Sequence, residues 1–137
     1  MINVAIVGYG NVGRGVVAAL GNSSDMKLAV VFSRRPEQVA RQFKGIEVLN
    51  TEKFSLPKGL RIDVAILCGG SKEDVPVQGP MFARRFSTVD SFDTHADIPR
   101  YFKKIDAITK KNGSVSIIAA GWDPGIFSLE QIGRAHV

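Results

Sequence analysis

Four short stretches of this 137-residue chain gather residue types that do chemistry. The first is Gly8-Tyr9-Gly10-Asn11-Val12-Gly13, a G-x-G-x-x-G pattern close to the start. In such a loop Gly8 permits a tight turn, Gly10 lets a pyrophosphate approach the backbone, and Gly13 lets a helix pack closely on a strand. The free N–H groups and positive end of that helix then attract phosphate. Glycines in a turn need no ligand by themselves, and it is the place of the motif between a strand and a helix that points to dinucleotide binding. The second stretch is Ser33-Arg34-Arg35-Pro36, about 20 residues beyond Gly13, where NAD-binding proteins usually carry an acid. A carboxylate there bonds the ribose 2′-OH and repels a 2′-phosphate, whereas a hydroxyl and two guanidiniums attract one. The pattern predicts NADP rather than NAD, against the alternative of a solvated arginine pair at a helix start.

The third stretch is Asp90-Ser91-Phe92-Asp93-Thr94-His95-Ala96-Asp97, three carboxylates and a histidine in one short run. Asp97 has a local task as a helix cap, while Asp90 and Asp93 have no basic partner nearby in sequence. A substrate ammonium would suit them, as would a hydrated loop, and the residues leave both open. The Asp/His spacing matches no metal motif, so no metal is expected, and His95 is read as a loop residue. The fourth stretch, Gly121-Trp122-Asp123-Pro124-Gly125, puts an apolar wall and a carboxylate in a glycine-flanked bend, more than a plain turn calls for. Between these lies Cys68-Gly69-Gly70-Ser71, small residues that let a cofactor cross a strand end, or a simple strand-to-helix turn. With no histidine near it in sequence, Cys68 reads as a small buried residue rather than a nucleophile.

The elements that must position these residues alternate. Strands are predicted at 2–7, 28–32, 46–49, 64–67, 87–89 and 114–119, and helices at 11–20, 36–43, after Ser71 as cap, and from Asp97 to Asn112-Gly113. Val12, Val16, Val17 and Leu20 make one helical face, and Ile98, Tyr101, Phe102, Ile105 and Ile108 another. Continuous apolar strands alternating with helices predict an α/β fold, a Rossmann-type doubly wound parallel sheet with ligands at the carboxyl ends of the strands. Every stretch named above follows a strand, which is the reason to read them together.

The bulk composition narrows the classes further. The length suits one domain, read as residues 1–130, and a single cysteine excludes an internal disulfide framework and suits a cytoplasmic protein. No apolar run is long enough to span a membrane, and the N-terminus has no signal-peptide pattern. The net charge of +5 is scattered over separate pairs without interleaved aromatics, so no nucleic-acid partner is expected.

Taken together, GYGNVGRG, FSRRP, LCGGS with VPVQGP and FARRF, VDSFDTHADIP and AGWDPGIFSL resemble the meso-diaminopimelate dehydrogenases over nearly the whole chain. The glycine loop is widespread, whereas DSFDTHADIP and GWDPG at this separation are specific. The resemblance implies a homodimeric enzyme of lysine and cell-wall precursor synthesis. It interconverts meso-2,6-diaminopimelate and L-2-amino-6-oxopimelate with NADP+ and ammonia, at the D-configured centre. It implies that Tyr9, Gly10, Asn11 and Val12 hold the pyrophosphate and that Ser33, Arg34 and Arg35 hold the 2′-phosphate. Cys68, Gly69, Gly70 and Ser71, with Ser91, Phe92 and Asp93 and with Ala120, Gly121, Trp122, Asp123 and Pro124, would line the nicotinamide side. Asp93 and Asp123 would bind the D-centre amino group beside Trp122, and which of them takes its proton stays open.

Two further expectations concern extent. Chains of that family are more than twice as long, the rest holding the dimerisation and substrate domain, so no turnover and only weak cofactor binding is expected of this one. After FSLEQ the likeness stops, and the codons for Ile132-Gly133-Arg134-Ala135-His136-Val137 can spell a sequencing-adaptor stretch, so residues 131–137 are expected to be a non-native tail. The competing readings are another NADP-linked oxidoreductase, of the dihydrodipicolinate reductase or homoserine dehydrogenase type, and a non-catalytic nucleotide-sensing module. The first would need a different loop in place of DSFDTHADIP, and no residue demands the second.

Overall fold

The structure, a computed structural model, describes residues 1–53 and 55–134, with the side chains of 131–134 left aside. Residues 135–137, which carry the end of the expected tail, lie outside the described residues. The chain divides into two compact units, Met1–Gly69 and Gly70–Val137.

In the first unit β1 (Ile2–Val7), β2 (Met26–Ser33), β3 (Glu47–Asn50) and β4 (Val64–Leu67) lie in the order β3-β2-β1-β4, all parallel. Val4, Ala5, Ile6 and Val7 are fully buried, as central strands of a parallel sheet covered on both faces must be. Helix α1 (Asn11–Leu20) packs on β1 and β2, and with it Val16, Val17 and Leu20 join Val4, Ile6 and Val31 in the core. Val12, expected on that face, is 56% exposed. The buried contact of the first turn is Gly13, about 100° further round the helix. Helix α2 (Pro36–Ala40) is shorter than expected, because Gln42 and Phe43 donate to the carbonyls three residues back and close turns instead of a helix. Strand β2 outruns its apolar stretch at both ends, since Met26 still pairs with Ile2 and Ser33 with Asn50. Asp63 joins the approach to β4 to the second residue of β1. Its Oδ2 accepts from Asn3 N (2.8 Å) and Nδ2 (2.7 Å), and its own N–H donates to Asn3 O (2.9 Å).

The second unit holds α3 (Val75–Ala83), β5 (Ser87–Asp90), a 3₁₀ turn (His95–Asp97), α4 (Ile98–Asn112), β6 (Ser116–Ile117) and α5 (Ile126–Arg134). Strands β5 and β6 are parallel, and α3 packs on α4 and β5. Val75, Phe82, Ala83, Phe86, Phe92, Tyr101 and Ile105 are its buried apolar residues.

Several expectations change here. Ser71 does not cap α3: that helix begins at Val75 with Asp74 in the cap position, and the Ser71 hydroxyl bonds Asp93 instead. Asp97 does stand at the start of α4, but its carboxylate pairs with Arg100 at 3.1 Å rather than capping. Phe102, placed on the apolar stripe of α4, is exposed. Helix α4 ends as expected, with Lys110 and Lys111 in its last turn and left-handed Gly113 donating to Thr109 O. The apolar run 114–119 yields only the two-residue β6, because the N–H groups of Ala119 and Ala120 turn to Asp90. Helix α5 was not foreseen. Pro124 and Gly125 read as an end, yet they stand just before a helix, where proline costs no hydrogen bond.

Candidate functional site

The glycine loop leaves β1 at Gly8, whose φ of +94° is left-handed, and Gly8 N donates to Phe32 O at 2.9 Å. A Cβ on Gly8 would lie 3.1 Å from Gly69 N and 3.2 Å from Cys68 C, so the ends of β1, β2 and β4 meet at this turn. A Cβ on Gly13 would overlap Gly8 O and lie 3.4 Å from the Ile6 side chain, which is the close helix–strand approach the motif predicts. Gly10 is different: a Cβ there would meet nothing within 4 Å. It is the cap residue of α1 and, being glycine, has no side chain with which to bond the first N–H groups of the helix. Open space beside an uncapped helix start is what a pyrophosphate needs, so the loop fits a dinucleotide. The Tyr9 ring packs against Phe43 with centroids 5.0 Å apart, and the Arg14 guanidinium lies 5.7 Å from its centre. Tyr9 therefore offers the loop its backbone, and Arg14, which the motif does not mark, adds a positive charge on the first turn.

At the end of β2 the Ser33 hydroxyl is buried and accepts from Arg35 N at 3.1 Å, while Arg34 and Arg35 are exposed. Ser33 O accepts from Thr51 N at 3.1 Å, and Asn50 Oδ1 accepts from Glu52 N (2.9 Å) and Lys53 N (3.1 Å). The turn after β3 thus braces the serine–arginine segment. The Asn50-Thr51 pair is the local signal that would have marked it. Cys68 is buried and burial alone pushes its thiol up to about 11, so it sits as a neutral thiol at physiological pH.

In the second unit, Gly70 N donates to Asp74 Oδ2 at 2.8 Å, closing the turn that presents Ser71. The Ser71 hydroxyl bonds the Asp93 carboxylate and also accepts from Asp93 N at 3.3 Å. The structure therefore brings Ser71 to Asp93, and both are open to solvent on one side. Phe92 is buried against Tyr101, with ring centroids 4.5 Å apart. Segment 120–124 joins the same neighbourhood, since a Cβ on Gly121 would lie 3.3 Å from the Ser91 Cβ. Its bend is closed by Gly121 N donating to Pro124 O (3.2 Å), and a side chain on Gly125 would overlap Gly121 O. Trp122 is 70% exposed and stacks on Phe127 at 6.1 Å, and the exposed Asp123 carboxylate accepts from Ser128 at 3.2 Å. Asp90, in contrast, is buried with its carboxylate occupied, which removes it as a substrate partner. His95 is an exposed residue of the 3₁₀ turn, as a loop residue would be. Two residues that the sequence did not single out are Tyr101, read only as part of an apolar stripe, and Gln78, whose buried Oε1 has no hydrogen-bond partner among the described residues.

No family model matches the chain. Among curated proteins, a meso-diaminopimelate D-dehydrogenase of Lysinibacillus sphaericus is 52% identical over 134 residues, 96% of this chain and 40% of that one. Among solved structures, the C. glutamicum DAP dehydrogenase in complex with DAP matches 98% of this chain and 41% of its own, at 38% identity and a TM-score of 0.84. An engineered D-amino acid dehydrogenase bound to NADP+ matches 98% and 41%, at 37% identity and a TM-score of 0.82. The chain is thus a homologue of the meso-diaminopimelate dehydrogenases, with the Rossmann-type α/β fold expected of it, and it spans about 40% of the length of the relatives it matches.

Proposed function

We propose that this chain serves the NADP-dependent oxidative deamination of meso-2,6-diaminopimelate. Substrate, NADP+ and water would give L-2-amino-6-oxopimelate, ammonia, NADPH and a proton. The observation that carries this reading is a likeness, 50% and 52% in two of the curated relatives over 96% of the chain, whose span takes in both carboxylate segments as well as the glycine loop.

In this reading Gly8, Gly10 and Gly13 shape the loop on which the backbone of Tyr9, Asn11 and Val12 receives the pyrophosphate. Ser33, Arg34 and Arg35 take the 2′-phosphate, the serine as a hydroxyl donor and the arginines as charges. When bound, NADP+ accepts the hydride from the D-configured carbon. Cys68, Gly69, Gly70 and Ser71 keep side chains small beside the nicotinamide, and Ser91, Phe92, Ala120, Gly121 and Pro124 shape the segments around it. Asp93 and Asp123 bind the D-centre ammonium, and one of them takes its proton so that the nitrogen lone pair can drive hydride out. Ser71 holds the Asp93 carboxylate in place for this, and Ser128 does so for Asp123. Trp122 screens the amine from water. The same resemblance supports a homodimer working in the cytoplasm, and no helix among the described residues is long and apolar enough to cross a membrane.

Trp122 is the only tryptophan, so its fluorescence reports on the substrate side of the chain. With NADP+ present, meso-diaminopimelate should quench it saturably. Asp93→Asn and Asp123→Asn should each weaken binding about tenfold or more, the scale of a charge-assisted hydrogen bond. Equal binding by the folded variants would remove the two aspartates from the amine site.

A further inference from the structure

Asp90 is 2% exposed, and each oxygen of its carboxylate has a partner. Oδ1 accepts from Phe92 N at 3.0 Å and from Ala119 N at 3.2 Å, and Oδ2 accepts from the Tyr101 hydroxyl at 2.7 Å. The Asp90 backbone carbonyl accepts from Ala120 N at 2.8 Å. The tyrosine reaches this carboxylate because residue 79 is glycine: a Cβ there would overlap the Tyr101 hydroxyl. Burial, then the bond to Asp90 and its charge, push the Tyr101 phenol well above its ordinary range, so it stays a donor. Ala119 adopts a φ of +55°, a left-handed conformation that alanine avoids and keeps only where neighbours hold it.

We propose that Asp90, supported by Tyr101, is a positioning residue: one buried carboxylate ties the start of the Asp93 segment to the start of the Asp123 segment and so sets the two aspartates relative to each other. The role given to those aspartates rests on the function proposed above, but the clamp itself is a property of the free chain. A carboxylate serves better than an apolar residue because it accepts from two separate backbone donors that β5 and β6 leave unpaired. Its partners lie 2, 11 and 29 residues away, so no local pattern advertises it.

The experiment is amide hydrogen exchange by NMR on the ligand-free 137-residue chain, together with the anisotropy decay of Trp122. Asp90→Ala should speed exchange at Phe92 and Ala119 about tenfold or more, the loss of one charge-assisted bond each, and should give Trp122 a faster local motion. The amides of β1 and α1 should keep their rates. Asp90→Asn retains the Oδ1 acceptor and should restore both amides to within about threefold of the wild type. Tyr101→Phe removes only the supporting bond and should give an intermediate effect, and it decides the matter if Asp90→Ala does not fold. Exchange at Ala119 left unchanged by Asp90→Ala and by Tyr101→Phe, in whichever of them folds, or raised equally along the whole chain, would overturn the clamp. Should the amides respond as described while meso-diaminopimelate binds no variant, the clamp stands and the amine reading falls.

Discussion

Gly10 and Gly13 sit three positions apart in one loop, and a single methyl group separates their tasks. At Gly13 the methyl meets Gly8 O, so Gly13→Ala should lower stability by about 2 kcal/mol or more in a urea melt, as overpacking does. At Gly10 the methyl meets no protein atom, so Gly10→Ala should cost about 1 kcal/mol or less while weakening NADPH binding markedly. Cys68 carries a second prediction. Its thiol, raised from 9.0 to about 11 by burial, contributes stability below pH 9 that is lost as the pH climbs through 11. At pH 8 a thiol reagent should therefore react at least about tenfold more slowly with the folded chain than with the urea-unfolded one. Glycine roles of this kind are legible in the sequence because motif and geometry are local. Asp90, Tyr101 and Gly79 were not legible, because their meaning lies in contacts between residues far apart in the chain.

Elements with a strong repeating pattern were the readable ones. Strands β1 and β4 and helix α1 begin and end where their apolar residues and flanking glycines say. The misreadings at 71–75 and 114–120 fall where Ser71 and Asp90 take up groups that a regular element would use. Ser71 bonds Asp93 rather than a helix start, and Asp90 draws Ala119 out of the strand. The tie between β1 and β4 gives this scale its test. Asn3 and then Arg61 hold the Asp63 carboxyl down to about 2, from 3.8, so its contribution is present above pH 3.8 and lost as the pH falls toward 2. Melting temperatures of Asp63→Asn should accordingly vary less between pH 4 and pH 2 than those of the wild type, and identical curves would show the tie to be energetically silent.

At the scale of the molecule, a net charge of +5 carried by basic residues scattered along the sequence suits a phosphate-bearing small ligand better than a polyanion. The first unit carries the glycine loop and the arginine pair, and the second carries the Asp93 and Asp123 carboxylates. Binding that depends on arginines and a 2′-phosphate should weaken as salt rises. The measurement that tests the account most directly is a titration with NADPH and with NADH, followed by nicotinamide fluorescence and repeated on Arg34→Ala/Arg35→Ala. The account predicts tighter binding of NADPH, by about tenfold or more on the scale of charge-assisted bonds, and loss of that preference in the double variant with NADH binding little changed. A folded chain that binds neither cofactor, or binds both equally before and after the substitution, would contradict it.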